Sequence, residues 1–147
     1  MFSLVYKSIA DPVFGKIQIQ EMLDKSREYN QKNKITGCLL YYHGEFVQYI
    51  EGNQVKVLRL FDKIKMDSRH SKIELLLHGH IDEREFKEWH MAYEDFTRDS
   101  DDLQFLKLLI SSFIDSPDDA MDPNPTSTYF WKTAKRLLNA TSLSRFK

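Results

Sequence analysis

Four short segments bring together side chains that handle protons and hydrogen bonds without a metal or a hydrolytic nucleophile. They are Tyr6-Lys7-Ser8, Asn30 ahead of Ile35-Thr36-Gly37, Gln48 ahead of Glu51-Gly52, and Trp89-His90-Met91. They supply a phenol, two primary amides, an indole and a thioether. A phenol gives up a proton or an electron, and a primary amide both donates and accepts hydrogen bonds. That set suits holding a polar aromatic cofactor and changing the hydrogen bonds around it; it is poor equipment for hydrolysis. Gln48 stands among Phe46, Val47, Tyr49 and Ile50, and an amide inside such an apolar strand needs a partner. Taken singly, Tyr6 reads as a packing residue and Asn30 as the end of a helix. Lys63, Asp67 and His70 follow i, i+4, i+7 spacing, with Arg69 beside them. By itself that pattern reads as a solvated helix end with favourable positive charge. His78-Gly79-His80 puts two imidazoles on one strand face, but zinc needs two more ligands that the spacing does not provide. Asp99, Asp101 and Asp102 read as a helix start, because the glycine-bearing calcium-loop pattern is missing. No metal is expected.

These residues must be placed by short alternating elements. Phe2 to Ser8 is apolar and β-rich, ended by Ala10-Asp11-Pro12, and reads as a strand. Ile19, Met22, Leu23 and Ser26 recur at helical spacing and predict a helix over about 16–32. Residues 35–42 and 45–51 read as strands joined by His43-Gly44, a hairpin signal. A second helix follows over about 53–67, with Val57, Leu58, Phe61 and Ile64 as its buried stripe. Strands are then predicted over 73–81 and 88–96, separated by a short turn. The order β-α-β-β-α-β-β predicts an α+β, ferredoxin-like βαββαβ(β) sandwich with two helices on one face of a mixed sheet.

Beyond residue 97 the pattern is helical. Leu103, Leu106, Leu109, Ile110 and Phe113 form one stripe; Tyr129, Phe130, Ala134, Leu137 and Leu138 form another. Pro and Asp clusters around 116–125 separate them. The acidic run over 99–122 and the purely basic charges over 123–147 favour antiparallel docking of the two helices. This C-terminal hairpin is expected to cover the bare face of the sheet, because two amphipathic stripes need a surface.

At the residues quoted above the chain resembles the BLUF family, the blue-light sensors that use a flavin. The likeness covers about residues 2–95. It is carried in order by Leu4-Val5-Tyr6-Lys7-Ser8, Asn30, Ile35-Thr36-Gly37-Cys38-Leu39-Leu40-Tyr41, Gly44-Glu45-Phe46-Val47-Gln48-Tyr49-Ile50-Glu51-Gly52, Asp67-Ser68-Arg69-His70 and Arg84-Glu85-Phe86-Lys87-Glu88-Trp89-His90-Met91. The resemblance implies a non-covalent flavin: FAD, with FMN or riboflavin as alternatives. Asn30 would hold its C4=O/N3 edge, and Gln48 would lie between Tyr6 and N5. Excitation would draw an electron from Tyr6 and pass its proton through Gln48. Gln48 would end rotated or tautomerised, donating to C4=O and shifting absorption to the red. Lys63, Asp67, Arg69 and His70 would meet the ribityl, phosphate and distal ring parts. Trp89 or Met91 would approach Gln48; which of them faces it stays open. The family often carries a second amide or a histidine before Asn30, whereas this chain has Tyr29.

The resemblance divides the chain into a flavin-binding domain over 1–96 and a C-terminal helical extension over 97–147. The extension is too short for a cyclase or phosphodiesterase, so a non-enzymatic sensor is expected, signalling through a downstream protein or a homo-oligomer. The rival readings are a small flavin-dependent oxidoreductase, for which no Gly-x-Gly-x-x-Gly nicotinamide signal occurs, and a flavin-free interaction module. Composition agrees with a single domain plus extension: 147 residues, 41% hydrophobic. A formal charge of −1 provides no field for nucleic acid or anionic lipid. No long apolar run or signal peptide is seen, and the lone Cys38 excludes an internal disulfide, so a soluble, cytoplasmic protein is expected.

Overall fold

The computed structural model describes residues 1–13, 15–87, 90–95 and 124–145. In chain order they form β1 (Phe2–Ala10), α1 (Lys16–Asn33), β2 (Thr36–Tyr42), β3 (Glu45–Gly52), α2 (Gln54–Lys65), β4 (His70–His80), β5 (Ala92–Asp95) and α3 (Pro125–Arg145). The β-α-β-β-α-β-β order is the one the apolar periodicities predict. The strands make one sheet in the order β4-β1-β3-β2-β5. All neighbours are antiparallel except β2 and β5. The β2–β3 hairpin closes through His43 and Gly44, with φ of 44° and 83°. Positive φ at both central residues is what lets a two-residue turn match the twist of its strands.

Side chains alternate across a strand, and here the alternation separates two cores. Leu4, Tyr6, Phe46 and Ile50 point to a face covered by α1 and α2 through Ile19, Leu23, Val57 and Phe61. Val5, Val47, Tyr49, Cys38 and Leu40 point to the opposite face, where they meet Phe130, Trp131 and Ala134 of α3. The final helix therefore lies on the face that the first two helices leave bare. Its start is set by Asn124-Pro125: the Asn124 Oδ1 accepts from Ser127 N at 3.0 Å, and proline is favoured in the first helical turn, where its missing N–H costs nothing.

Several local expectations are corrected. In α2, Leu58 is 40% exposed, and Leu60 packs against the core instead. In α3, Tyr129 is exposed and Trp131 is buried in its place. The helix predicted to reach Asp67 stops at Lys65. Asp67 ends it: its carboxylate accepts from the Arg69 backbone N–H at 2.9 Å, a local turn that competes with helix, and β4 starts at His70. Lys63, Asp67 and His70 therefore do not share a helical face. β5 begins at Ala92 rather than 88, because α1 takes the preceding carbonyls: Arg27 Nε donates to Met91 O (3.1 Å) and Asn30 Nδ2 to His90 O (2.7 Å). The expected helix around 99–113 lies outside the described residues. Among the described residues no helix is long and apolar enough to cross a membrane.

Gly37 on β2 shows how closely β2 and β3 approach. A Cβ there would sit 2.1 Å from the Tyr49 carbonyl oxygen, a backbone atom that cannot swing aside. Gly37→Ala is expected to destabilise the fold by about 3 kcal/mol, the upper end of ordinary overpacking. The check is the midpoint of urea unfolding, which should fall without a change in slope.

Candidate functional site

Tyr6 and Gln48 lie directly opposite each other in the β1–β3 register, and both face α1 and α2. Between the two helices and the sheet is a cleft of about 610 Å³ of atom-free space, counting its open mouth. The sheet contributes Tyr6, Leu39, Phe46 and Gln48; α1 contributes Met22, Leu23, Ser26 and Asn30; α2 contributes Leu60 and Ile64. Asp67 and Arg69 stand on the connection into β4, His70 on its first residue, and Met91 on the approach to β5. The walls are mostly apolar, with a few convergent polar groups.

Those groups have defined roles. The Tyr6 hydroxyl donates to Gln48 Oε1. Gln48 Nε2 donates to Met91 Sδ at 3.2 Å. This orientation of the amide is the matched one in the cleft as it stands. Turned over, it would present its oxygen to a thioether, which has no proton to give. The two orientations differ by roughly one hydrogen bond to sulfur, weaker than the ~1 kcal/mol of an ordinary one. A ligand edge carrying its own donor or acceptor is enough to reverse the preference.

Tyr6 is buried, and burial, then the nearby Asp67 charge, holds its phenol well above the usual tyrosine range. It keeps its proton and acts as a donor. Asp67 is held below the usual carboxylate range, first by its hydrogen bonds from Arg69. The Arg69 Nε meets both Asp67 oxygens at 2.8 and 2.9 Å, which puts a fixed ion pair at the cleft. His70 has both ring nitrogens engaged: Nε2 with the Ile64 carbonyl oxygen at 2.6 Å and Nδ1 with Ser8 Oγ at 2.8 Å. A carbonyl only accepts, so Nε2 carries the hydrogen. The ring then offers the cleft its carbon surface, edge-on to Tyr6 with centroids 6.4 Å apart.

Asn30 is 1% exposed. Its Nδ2 is committed to the His90 carbonyl, which fixes the amide orientation. Its Oδ1 has no partner among the described residues. An unpaired buried acceptor costs about 1–3 kcal/mol, and at a cleft wall it asks for a ligand N–H.

Of the residues singled out from the sequence, Tyr6, Asn30, Gln48, Asp67, Arg69, His70 and Met91 line one cleft. Lys63 is not among them; its Nζ lies 4.4 Å above the Tyr29 ring. Trp89 lies outside the described residues; among the described ones Met91 meets the Gln48 amide nitrogen. His78 and His80 each pack near the Phe2 ring, centroids 5.9 Å apart. Arg27 escaped the sequence reading. A charged residue on an amphipathic helix looks like any solvated one, and nothing local reveals that it grips the Met91 carbonyl.

Comparisons with known proteins point the same way. Residues 1–92 match the family described as BLUF, sensors of blue-light using FAD. The chain is 33% identical over 84 residues to the photoactivated adenylate cyclase subunit alpha of Euglena gracilis, a match covering 57% of this chain and 8% of that protein. The curated relatives it matches are thus far longer than the stretch they share with it. Among solved structures it resembles BlsA in its photo-activated state, with 29% identity, TM-score 0.66, and coverage of 90% of this chain and 92% of that one. It also resembles BlrB, a BLUF protein in its dark state, with 29% identity, TM-score 0.65, and coverage of 90% and 93%.

Proposed function

The chain belongs to the BLUF family of blue-light sensors that use a flavin, and from that premise we propose that Tyr6, Gln48 and Asn30 form its photoactive centre, with FAD as the ligand. The observation that carries the assignment is the donor set of the cleft. A flat ring with an imide edge offers an N–H to the orphan Asn30 Oδ1 and an acceptor to an amide. Flavin, when bound, supplies blue-light absorption and an excited state that takes up an electron. FAD, FMN and riboflavin share that ring; the family description favours FAD. Asp67 and Arg69 suit the polar chain beyond the ring. Lys63 could swing from Tyr29 toward a ligand phosphate.

The work of the protein lies in the Tyr6–Gln48–Met91 line. With flavin bound, Tyr6 would give an electron to the excited ring while its proton moved along its hydrogen bond to Gln48 Oε1, and would take both back in recombination. Gln48 is left with donor and acceptor ends exchanged. The contact from Nε2 to Met91 is then lost, which frees the thioether and the strand behind it. No covalent bond forms, so the dark arrangement returns by itself.

We further propose the division into a sensor domain over 1–96 and a helical extension over 97–147. In this reading the protein is a cytoplasmic, non-enzymatic sensor. Its output passes to a downstream protein or to a homo-oligomer whose affinity differs between the two states. The packing of α3 on the far sheet face supports a relay through that helix. The test is an absorption spectrum of the purified, FAD-loaded protein before and after blue light. A small, reversible red shift without added substrate is expected. Identical spectra would overturn the reading; bleaching on addition of a reductant, with no shift, would favour a flavin oxidoreductase.

A further inference from the structure

Gln48 and Glu51 leave β3 on opposite faces. Glu51 is 0% exposed on the α3 side. Its carboxylate accepts four hydrogen bonds: from Thr36 Oγ1 (2.8 Å), Tyr49 OH (2.9 Å), and the backbone N–H groups of Glu85 and Phe86 (2.7 Å each). Among the described residues no cation touches it; Arg84 instead donates to Thr36 Oγ1 at 2.9 Å and to the Lys34 carbonyl at 2.6 Å.

The four donors come from three places, β2, β3 and the segment after β4, and the last two lead onward. Glu85 and Phe86 begin the segment that ends at His90 and Met91. Phe86 packs with Tyr49, Phe130 and Trp131 on the α3 side, whereas Met91 sits in the other core, against Gln48. Phe86 and Met91 thus lie on opposite faces of the sheet, and Glu51 anchors the Phe86 end. Tyr49 leads elsewhere: its oxygen accepts from Asn124 Nδ2 at 3.0 Å, and Asn124 caps α3. A second tie to the same helix runs from Trp131 Nε1 to Glu85 Oε1, 3.1 Å.

We propose that Glu51 is a positioning residue for the light response: one buried carboxylate holds both the 85–86 backbone, which leads to Met91, and the Tyr49–Asn124 cap of α3, and so couples a change at Gln48 to the C-terminal helix. The inference rests on the photoreceptor reading. Its physical basis is a matching argument. In a glutamine, one of the two acceptor oxygens becomes an NH2 group. The hydroxyls of Thr36 and Tyr49 can rotate to accept from it, but a backbone N–H cannot. Either amide orientation therefore releases Glu85 or Phe86, according to which oxygen is replaced, with the side-chain shape kept.

The experiment uses the full FAD-loaded chain labelled with ¹⁵N, with the Trp131 indole N–H assigned by its loss in Trp131→Phe. In the wild type, illumination should shift the Trp131 indole resonance. In Glu51→Gln, the flavin red shift should persist, the Trp131 response should drop to less than half, and one amide of the Glu85–Phe86 pair should exchange faster in the dark, flavin-free protein. Should Glu51→Gln fail to fold, Tyr49→Phe keeps the ring among Phe86 and Phe130, removes the hydroxyl that joins Glu51 to Asn124, and is judged by the same Trp131 response. A full Trp131 response in the variant overturns the inference, as does an unresponsive Trp131 in a wild type whose flavin shift is normal. A wild type with no flavin shift overturns the photoreceptor reading itself, and is recognised by the optical measurement alone.

Discussion

Replacing Gln48 with glutamate should leave the flavin bound and abolish the reversible red shift. The two side chains have nearly the same shape, so the apolar walls formed by Leu39, Phe46 and Leu60 stay in place, and the dissociation constant should move by no more than about tenfold, or ~1.4 kcal/mol. What changes is hydrogen-bond sense. A carboxylate still accepts from the Tyr6 hydroxyl, as Gln48 Oε1 does, but both its ends are then alike. It has no N–H to give Met91 in one state or a ligand carbonyl in the other. Exchange of ends is therefore without consequence. Difference spectra of the illuminated variant at matched flavin occupancy are the measurement. A shift of wild-type size in Gln48→Glu would exclude the amide as the switch.

Tyr6→Phe should have the same optical outcome for a different reason. The ring remains, packed on Phe61 with centroids 5.5 Å apart, so the cleft keeps its floor. The hydroxyl that feeds Gln48 is gone, and a phenyl group yields neither an electron nor a proton at the potential of a phenol. Gln48 Oε1 also loses its donor, and an unpaired buried acceptor should lower stability by about 1–3 kcal/mol unless the ligand fills the gap. Urea unfolding with and without FAD separates these contributions, because a ligand that re-pairs the amide restores the midpoint. A normal red shift in Tyr6→Phe would rule out this tyrosine as electron source and move the search to another side chain of the cleft.

Two features of the site could be read ahead of the structure because they depend on local order. Tyr6 and Gln48 lie on strands whose alternation and hairpin signals are local, and the ferredoxin-like order of elements makes their strands neighbours. Asn30 lies in the last turn of a helix set by the spacing of Ile19 and Leu23. Three features resisted reading. The spacing of Lys63, Asp67 and His70 suggested one helical face, but the Asp67–Arg69 turn ends the helix first. The alternation around Trp89 and Met91 suggested a strand from 88, yet two side chains of α1, sixty-odd residues away in sequence, claim the carbonyls of 90 and 91. Glu51 was visible as part of a motif, but its donors come from β2, from β3, and from the segment after β4.

By itself, then, this sequence determined the order and type of the elements that the structure describes, and its motifs, by their resemblance, the family to which it belongs. The elements follow from periodicity and residue chemistry, which act over a few residues or are intrinsic to one. Only the tertiary structure decided that the thioether of Met91 meets the Gln48 amide, that Lys63 rests on Tyr29, that both His70 nitrogens are committed, and that one buried carboxylate joins the 85–86 backbone to the tyrosine bonded to the cap of the last helix. Each of these is a contest between distant partners for the same donor or acceptor, and such contests are settled by where the packed elements bring them.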